Sequence, residues 1–217
     1  MLSRYSIRLI RCLQTSRYTT LHSTSSSPIT HPHISQSVFI MANSPDLSLP
    51  PQAPELGMYC DKNWDDASFA VYTLVDVSED ELQEICDVPD NQLMENQGGE
   101  GSHLVRVAPQ HNFAGKTLKD ILDYHVQMDK SDFPADEDKY GLDWFPTAFV
   151  VLTSQDWKSE GLLFVYVDDE AEGCPLDKFF FLLEDSYMML SSISFGDETC
   201  TRSKEIYQHG ASDVSAE

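Results

Sequence analysis

Residues 70–86 read AVYTLVDVSEDELQEIC. The first eight, Ala70 to Val77, are β-branched or apolar at nearly every position and read as a strand. Ser78 follows at once, with Glu81 three residues later, so the strand runs into a capping box. Glu79, Asp80 and Glu81 place negative charge where a helix N-terminus favours it. Leu82, Ile85 and Cys86 then share one helical face, and Pro89 is expected to end the helix. A strand feeding directly into a capped helix is the opening of a βαβ unit.

The flanking sequence extends this reading. Asp90 to Ser102, with Gly98, Gly99 and Gly101, reads as a loop. Leu104 to Ala108 (LVRVA) reads as a short second strand, and Pro109 to Gly115 as a turn-rich connection. Thr117 with Asp120 caps a second helix, on which Leu118, Ile121, Leu122 and His125 form one stripe. Asp129 to Asp143 is an acidic loop carrying six acids.

Three short apolar runs follow: TAFVVLT at 147–153, LLFVYV at 162–167 and KFFFLL at 178–183. Near-continuous apolarity implies strands covered on both faces. Their short links favour antiparallel hairpins over crossovers. Asp185 to Leu190 reads as a helical turn, Ser191 to Phe195 as a last short strand, and Asp197 to Gln208 as a terminal helix. The order predicts an α/β to α+β fold: one domain with a mixed β-sheet, made of a right-handed βαβ unit plus an antiparallel meander, and helices packed on it.

The pattern Phe149-Val150-Val151-Leu152, Asp156, Gly161-Leu162-Leu163-Phe164-Val165, Leu190 and Phe195-Gly196 resembles a family of small acidic α/β domains found in fungal and other microbial proteins, catalogued as a domain of unknown function. The likeness is best over residues 147–200. It implies an α/β fold and carries over no catalytic or ligand-binding residue.

Charge divides the 217-residue chain sharply. Residues 1–45 hold Arg4, Arg8, Arg11 and Arg17 and no acid, so all 36 Asp and Glu lie beyond them. Against these stand ten Lys and Arg, a net charge of −26. A helical wheel gathers Arg4, Arg8 and Arg11 opposite Leu2, Tyr5, Leu9 and Leu13, so the start resembles a mitochondrial presequence. Met41 also reads as an ordinary start, which would make residues 1–40 an extension outside a cytoplasmic protein. The expected organisation is a 1–40 leader, a 41–57 Pro-rich linker, a 58–207 acidic domain and a 208–217 disordered tail. No apolar run reaches the length of a transmembrane helix.

Tested motif by motif, the sequence offers little chemistry. The five Cys form no C-x-x-C pair, and Cys86 sits on an apolar stripe, so neither a metal nor a cofactor is expected. Asp168, Glu170, Glu172 and Gly173 imitate the start of a calcium loop, but Phe179 stands where its bidentate acid belongs. The Gly98–Gly101 stretch precedes a strand, whereas phosphate loops follow one. There is no G-x-S-x-G and no H-E-x-x-H. His125 reads as a packed histidine.

Two constellations remain. If the first two strands are parallel neighbours, their carboxyl ends gather Asp76 and Ser78 with Gln110, His111 and Asn112 in the crevice where open sheets bind ligands. There Asp76, His111 and Asn112 are weak catalytic candidates, with an Asp–His pair as base and orienter. Tyr140, Asp143, Trp144 and Phe145 combine aromatics with acid and form the candidate patch for a cationic ligand or a basic peptide. The charge excludes phosphate-backbone binding and favours a non-enzymatic interaction domain with a basic protein or peptide partner. The alternatives are an enzyme of unrecognised type at the strand ends and a nucleic-acid mimic with acids in rows.

Overall fold

The computed structural model describes residues 44–59, 64, 67–97, 103–128 and 142–210. The elements are α1 (Pro54–Gly57), β1 (Ser68–Thr73), α2 (Glu79–Gln97), β2 (Val105–Asn112), α3 (Leu118–Gln127), β3 (Trp144–Leu152), α4 (Trp157–Glu160), β4 (Leu162–Val167), β5 (Leu176–Phe181), α5 (Ser186–Ser194) and α6 (Cys200–Tyr207). The strands form one mixed sheet in the order β2-β1-β3-β4-β5. β1 runs parallel to both β2 and β3, and β3-β4-β5 is an antiparallel meander. The predicted α/β architecture is therefore present, with β3 belonging to both halves.

Strand alternation divides the core in two. Phe69 and Val71 of β1 and Leu162, Phe164 and Tyr166 of β4 face one side. Ala70 and Tyr72, with Leu163, Val165 and Val167, face the other. The first side is covered by Leu82, Ile85, Cys86 and Leu93 of α2 and by Met189, Leu190 and Ile193 of α5. The second is covered by Leu118, Ile121 and Leu122 of α3. Both faces of β1 and β4 are thus buried, as their unbroken apolar runs require.

Four local expectations are corrected. First, α2 does not end before Pro89 but continues to Gln97. Proline forfeits the bond to the carbonyl four residues back. Burial of Leu93 in the same core as Leu82, Ile85 and Cys86 carries the helix through it. Asp90, expected in a loop, is helical and accepts hydrogen bonds from Leu104 N (2.8 Å), Val105 N (3.3 Å) and His103 Nδ1 (2.7 Å). Second, β2 runs on through Pro109 to Asn112. It is an edge strand, where a missing N–H is tolerated, and its pairing with β1 shifts register between Val71 and Thr73.

Third, Ser191 to Phe195 is not a strand, because Ser186–Ser194 is one helix. Met189, Leu190 and Ile193 make one buried face at helical spacing, and Ser191 Oγ bonds back to the Tyr187 carbonyl at 2.6 Å. Fourth, the Pro-rich segment from Ser44 is not a spacer. Leu47 and Leu49 pack on the second core, and Ala53 and Leu56 are buried in it. Leu118 N donates to Asp46 O (2.9 Å), Leu176 N to Pro51 O (3.1 Å) and Lys178 Nζ to Leu47 O (2.6 Å). The segment is an extended strap over the sheet, and proline-rich backbone shows no periodicity by which to foresee this.

At the other end His209 N donates to Phe180 O at 2.7 Å, so the ordered chain runs past 207. The leader, Cys12, Cys60, the Gly98–Gly101 stretch, residues 129–141 and residues 211–217 lie outside the described residues.

Candidate functional site

The carboxyl ends of β1 and β3 lie side by side, because the two strands are parallel neighbours paired from Ala70–Phe149 to Thr73–Leu152. Leu74 N donates to Leu152 O at 2.8 Å, which carries the pairing one residue past the strand. Thr73 Oγ1 accepts from Val75 N at 3.1 Å and turns the chain outward. On β3 the chain continues as Thr153-Ser154-Gln155-Asp156 into α4. Gln155 Nε2 donates to the Asp76 carbonyl at 3.3 Å, which joins the two exits.

Between these exits lies a crevice of about 650 Å³. It is the ligand position of open α/β sheets. Its walls are Leu74, Val75 and Asp76 after β1, Ala114 and Gly115 after β2, Thr153 to Asp156 after β3, and Glu160 of α4. Phe180 of β5 and Ser44, Pro45 and Leu47 of the strap close the side. Gly115 takes φ +75°, a conformation that suits glycine in the turn after β2. Gly161, at the exit of α4, has φ +89°, and a Cβ there would stand 2.7 Å from the Phe181 carbonyl oxygen. Only glycine lets α4 return so closely to β5.

The crevice is negative. Asp76, Asp156 and Glu160 are exposed in its lining, in which the described residues include no Lys, Arg or His. Asp156 is the N-cap of α4, yet its carboxylate makes no capping bond. Lys158 in the same short helix is engaged elsewhere, 2.8 Å from Glu84. Among the described residues the carboxylates of these three acids form no hydrogen bond or ion pair. Thr153 is also in the lining and is 7% exposed.

Of the sequence-predicted catalytic set, only Asp76 reaches this crevice. His111 Nδ1 is 3.3 Å from the Ala108 carbonyl and its Nε2 is 3.9 Å from Glu79. Asn112 Oδ1 accepts from Ala114 N at 2.9 Å, a turn contact. Ser78 is engaged in the capping box, accepting from Glu81 N (3.3 Å) and donating its own N–H to Glu81 Oε2 (3.0 Å). No hydrogen bond joins Asp76 to His111, so the base-and-orienter pair is not assembled.

The aromatic patch is placed differently from its expectation. Trp144 and Phe145 are buried, Phe145 stacking on Phe69 with ring centroids 4.4 Å apart. The Arg106 guanidinium sits 4.3 Å from the Trp144 ring centre, and its Nε donates to Ser68 Oγ at 2.9 Å. A cation of the chain itself thus covers that ring. Asp143 is exposed and its carbonyl accepts from Arg106 Nη2 and from Ser68 N. Tyr140 lies outside the described residues.

The remaining candidates have structural roles. His125 is fully buried, with Nδ1 2.9 Å from Tyr72 Oη and Nε2 3.2 Å from the Pro146 carbonyl. Burial, aided by Asp90 and Asp87, pushes the Cys86 thiol up to about 12, so it stays protonated and inert. Asp168 and Glu170 belong to the β4–β5 hairpin, where Asp168 Oδ1 accepts from Glu170 N at 3.1 Å. Among the described residues no group of three or more His, Cys, Asp or Glu is placed to hold a metal ion. No described helix is long and apolar enough to cross a membrane.

Thr153, Asp156, Glu160 and the strap residues went unforeseen. The signal for the first three was the parallel pairing of β3 with β1, which puts whatever follows Leu152 at the ligand end of the sheet. No family model, no curated protein and no solved structure matches the chain.

Proposed function

We propose that this chain is a non-enzymatic interaction domain that captures a basic protein or peptide, and that the crevice between the exits of β1 and β3 is its point of contact. The observation that carries this reading is the lining itself: Asp76, Asp156 and Glu160 with no cationic side chain among them. Carboxylates with no internal partner keep their field for an incoming ligand. The surrounding excess of acids, a net −26 beyond residue 45, steers such a ligand from a distance.

The test is capture of a Lys/Arg-rich peptide by the full chain at graded salt. The domain binds it at low ionic strength and loses it steeply as salt rises, because exposed charge is screened over about 10 Å at 0.1 M. A peptide of equal length and neutral charge is not retained. Binding that ignores ionic strength, or equal binding of both peptides, would refute the reading.

A further inference from the structure

Thr153 is the most deeply placed hydroxyl of the crevice lining, 7% exposed. Its side chain makes no hydrogen bond among the described residues. Buried hydroxyls are ordinarily paired, and an unpaired one is costly. Strand alternation sets its direction. Val151 faces the α3 side of the sheet and Leu152 the α2 side, so Thr153 turns back to the α3 side. Leu74 belongs to that same side, and the crevice residues Leu47 and Phe180 pack against it. That is the side on which the crevice opens, and Thr153 lines it beneath the exposed Asp76, Asp156 and Glu160.

We infer that Thr153 is the floor of a pocket for one Lys or Arg side chain of the basic peptide, whose N–H donates to Thr153 Oγ1 while its aliphatic stem lies along Leu47, Leu74 and Phe180. This rests on the proposed function and goes beyond it by naming the recognised group. A carboxylate rim rejects anionic and acceptor-rich ligands, so the missing partner of the hydroxyl is a cationic donor. The apolar wall fits the methylene stem of Lys or Arg, which buries its carbons while the charged head finds polar partners. A cation lacking N–H donors satisfies the rim but not the floor.

The experiment is calorimetric titration of the full chain with a Lys-rich peptide free of Arg and with the same peptide quaternised to trimethyl-lysine. It is repeated on Thr153→Val and Thr153→Ser. Thr153→Val keeps the shape and deletes the hydroxyl, so it weakens peptide binding about tenfold, the effect of one hydrogen bond to a charged group. Thr153→Ser stays within about twofold of the parent. The melting temperature of Thr153→Val in the free state is equal or higher, because an unpaired hydroxyl has been removed from a buried site. The quaternised peptide binds the parent and Thr153→Val alike.

If the parent binds the peptide in a salt-dependent way but Thr153→Val binds it equally well, this inference is overturned and the proposed function survives. If spermine binds at Thr153 while the peptide does not, the pocket serves a free amine and the peptide assignment falls. If no basic ligand binds the parent at all, both fall.

Discussion

The side-chain amide of Gln155 donates to the backbone carbonyl of Asp76 at 3.3 Å, so the chain leaving β3 is tied to the chain leaving β1. The bond is exposed and contributes little to stability, yet it ties together the two walls that carry Asp76 and Asp156. Replacing Gln155 with Ala should change the unfolding free energy by less than about 0.5 kcal/mol while weakening peptide binding several-fold. Paired urea denaturation and calorimetry separate the two effects. A large loss of stability would mean the bond serves the fold rather than the crevice.

His125 joins three elements. The Pro146 carbonyl can only accept, so Nε2 of His125 carries a proton, while Nδ1 lies 2.9 Å from the Tyr72 hydroxyl, itself 3.6 Å from Met128 Sδ. Pro146 is free to offer that carbonyl because the β1–β3 register shifts between Ser68 and Ala70. Tyr72→Phe removes the buried hydroxyl that His125 Nδ1 and Met128 Sδ share. It should cost about 1–2 kcal/mol in urea denaturation, with peptide affinity unchanged in the protein that remains folded.

Asp90 holds the far end of the sheet. One of its carboxylate oxygens serves Leu104 N and Val105 N, and the other His103 Nδ1. Asp90→Ala orphans two backbone donors at the start of β2 and should destabilise by about 2–4 kcal/mol. His103→Ala removes an exposed partner and should cost under about 1 kcal/mol. Equal effects in the two variants would contradict this division.

Asp177 predicts an acid limit to stability. Burial raises its carboxyl, but hydrogen bonds from Lys204, Tyr166 and Lys178 N outweigh this and hold it below its ordinary value. A depressed native pKa gives stability that is present above the unfolded pKa of about 4 and is lost as pH falls through the native value. Asp177→Asn should therefore lower the melting temperature at pH 7 and flatten its decline below about pH 4. Melting curves from pH 7 to 3 check both. A parallel decline in parent and variant would show that Asp177 does not contribute.

Much of this architecture was legible in the residues. Both capping boxes, Ser78 with Glu81 and Thr117 with Asp120, form as their spacing requires, and His125 takes the buried place its helical stripe implied. What the sequence hid has physical causes. Pro89 reads as a stop, but tertiary burial of Leu93 overrides a local penalty. The strap from Ser44 to Ala53 is non-helical and proline-rich, so its packing leaves no periodic trace. Trp144 and Phe145 stand beside acids in the sequence as a candidate patch, and the fold buries them, Phe145 against Phe69 and Trp144 beneath Arg106. The crevice was half foreseen: Asp76 belongs to it, while His111 faces Glu79 because β2 runs through Pro109 as an edge strand.

The most direct measurement is peptide affinity for Asp76→Asn/Asp156→Asn/Glu160→Gln beside a control of equal charge change, Glu55→Gln/Glu95→Gln/Glu172→Gln. The control acids are exposed and outside the crevice lining. The crevice variant is expected to lose at least about tenfold in affinity and much of its salt dependence, while the control loses no more than about twofold. Equal losses in the two variants would contradict a localised site and leave only diffuse attraction between an acidic surface and a basic chain.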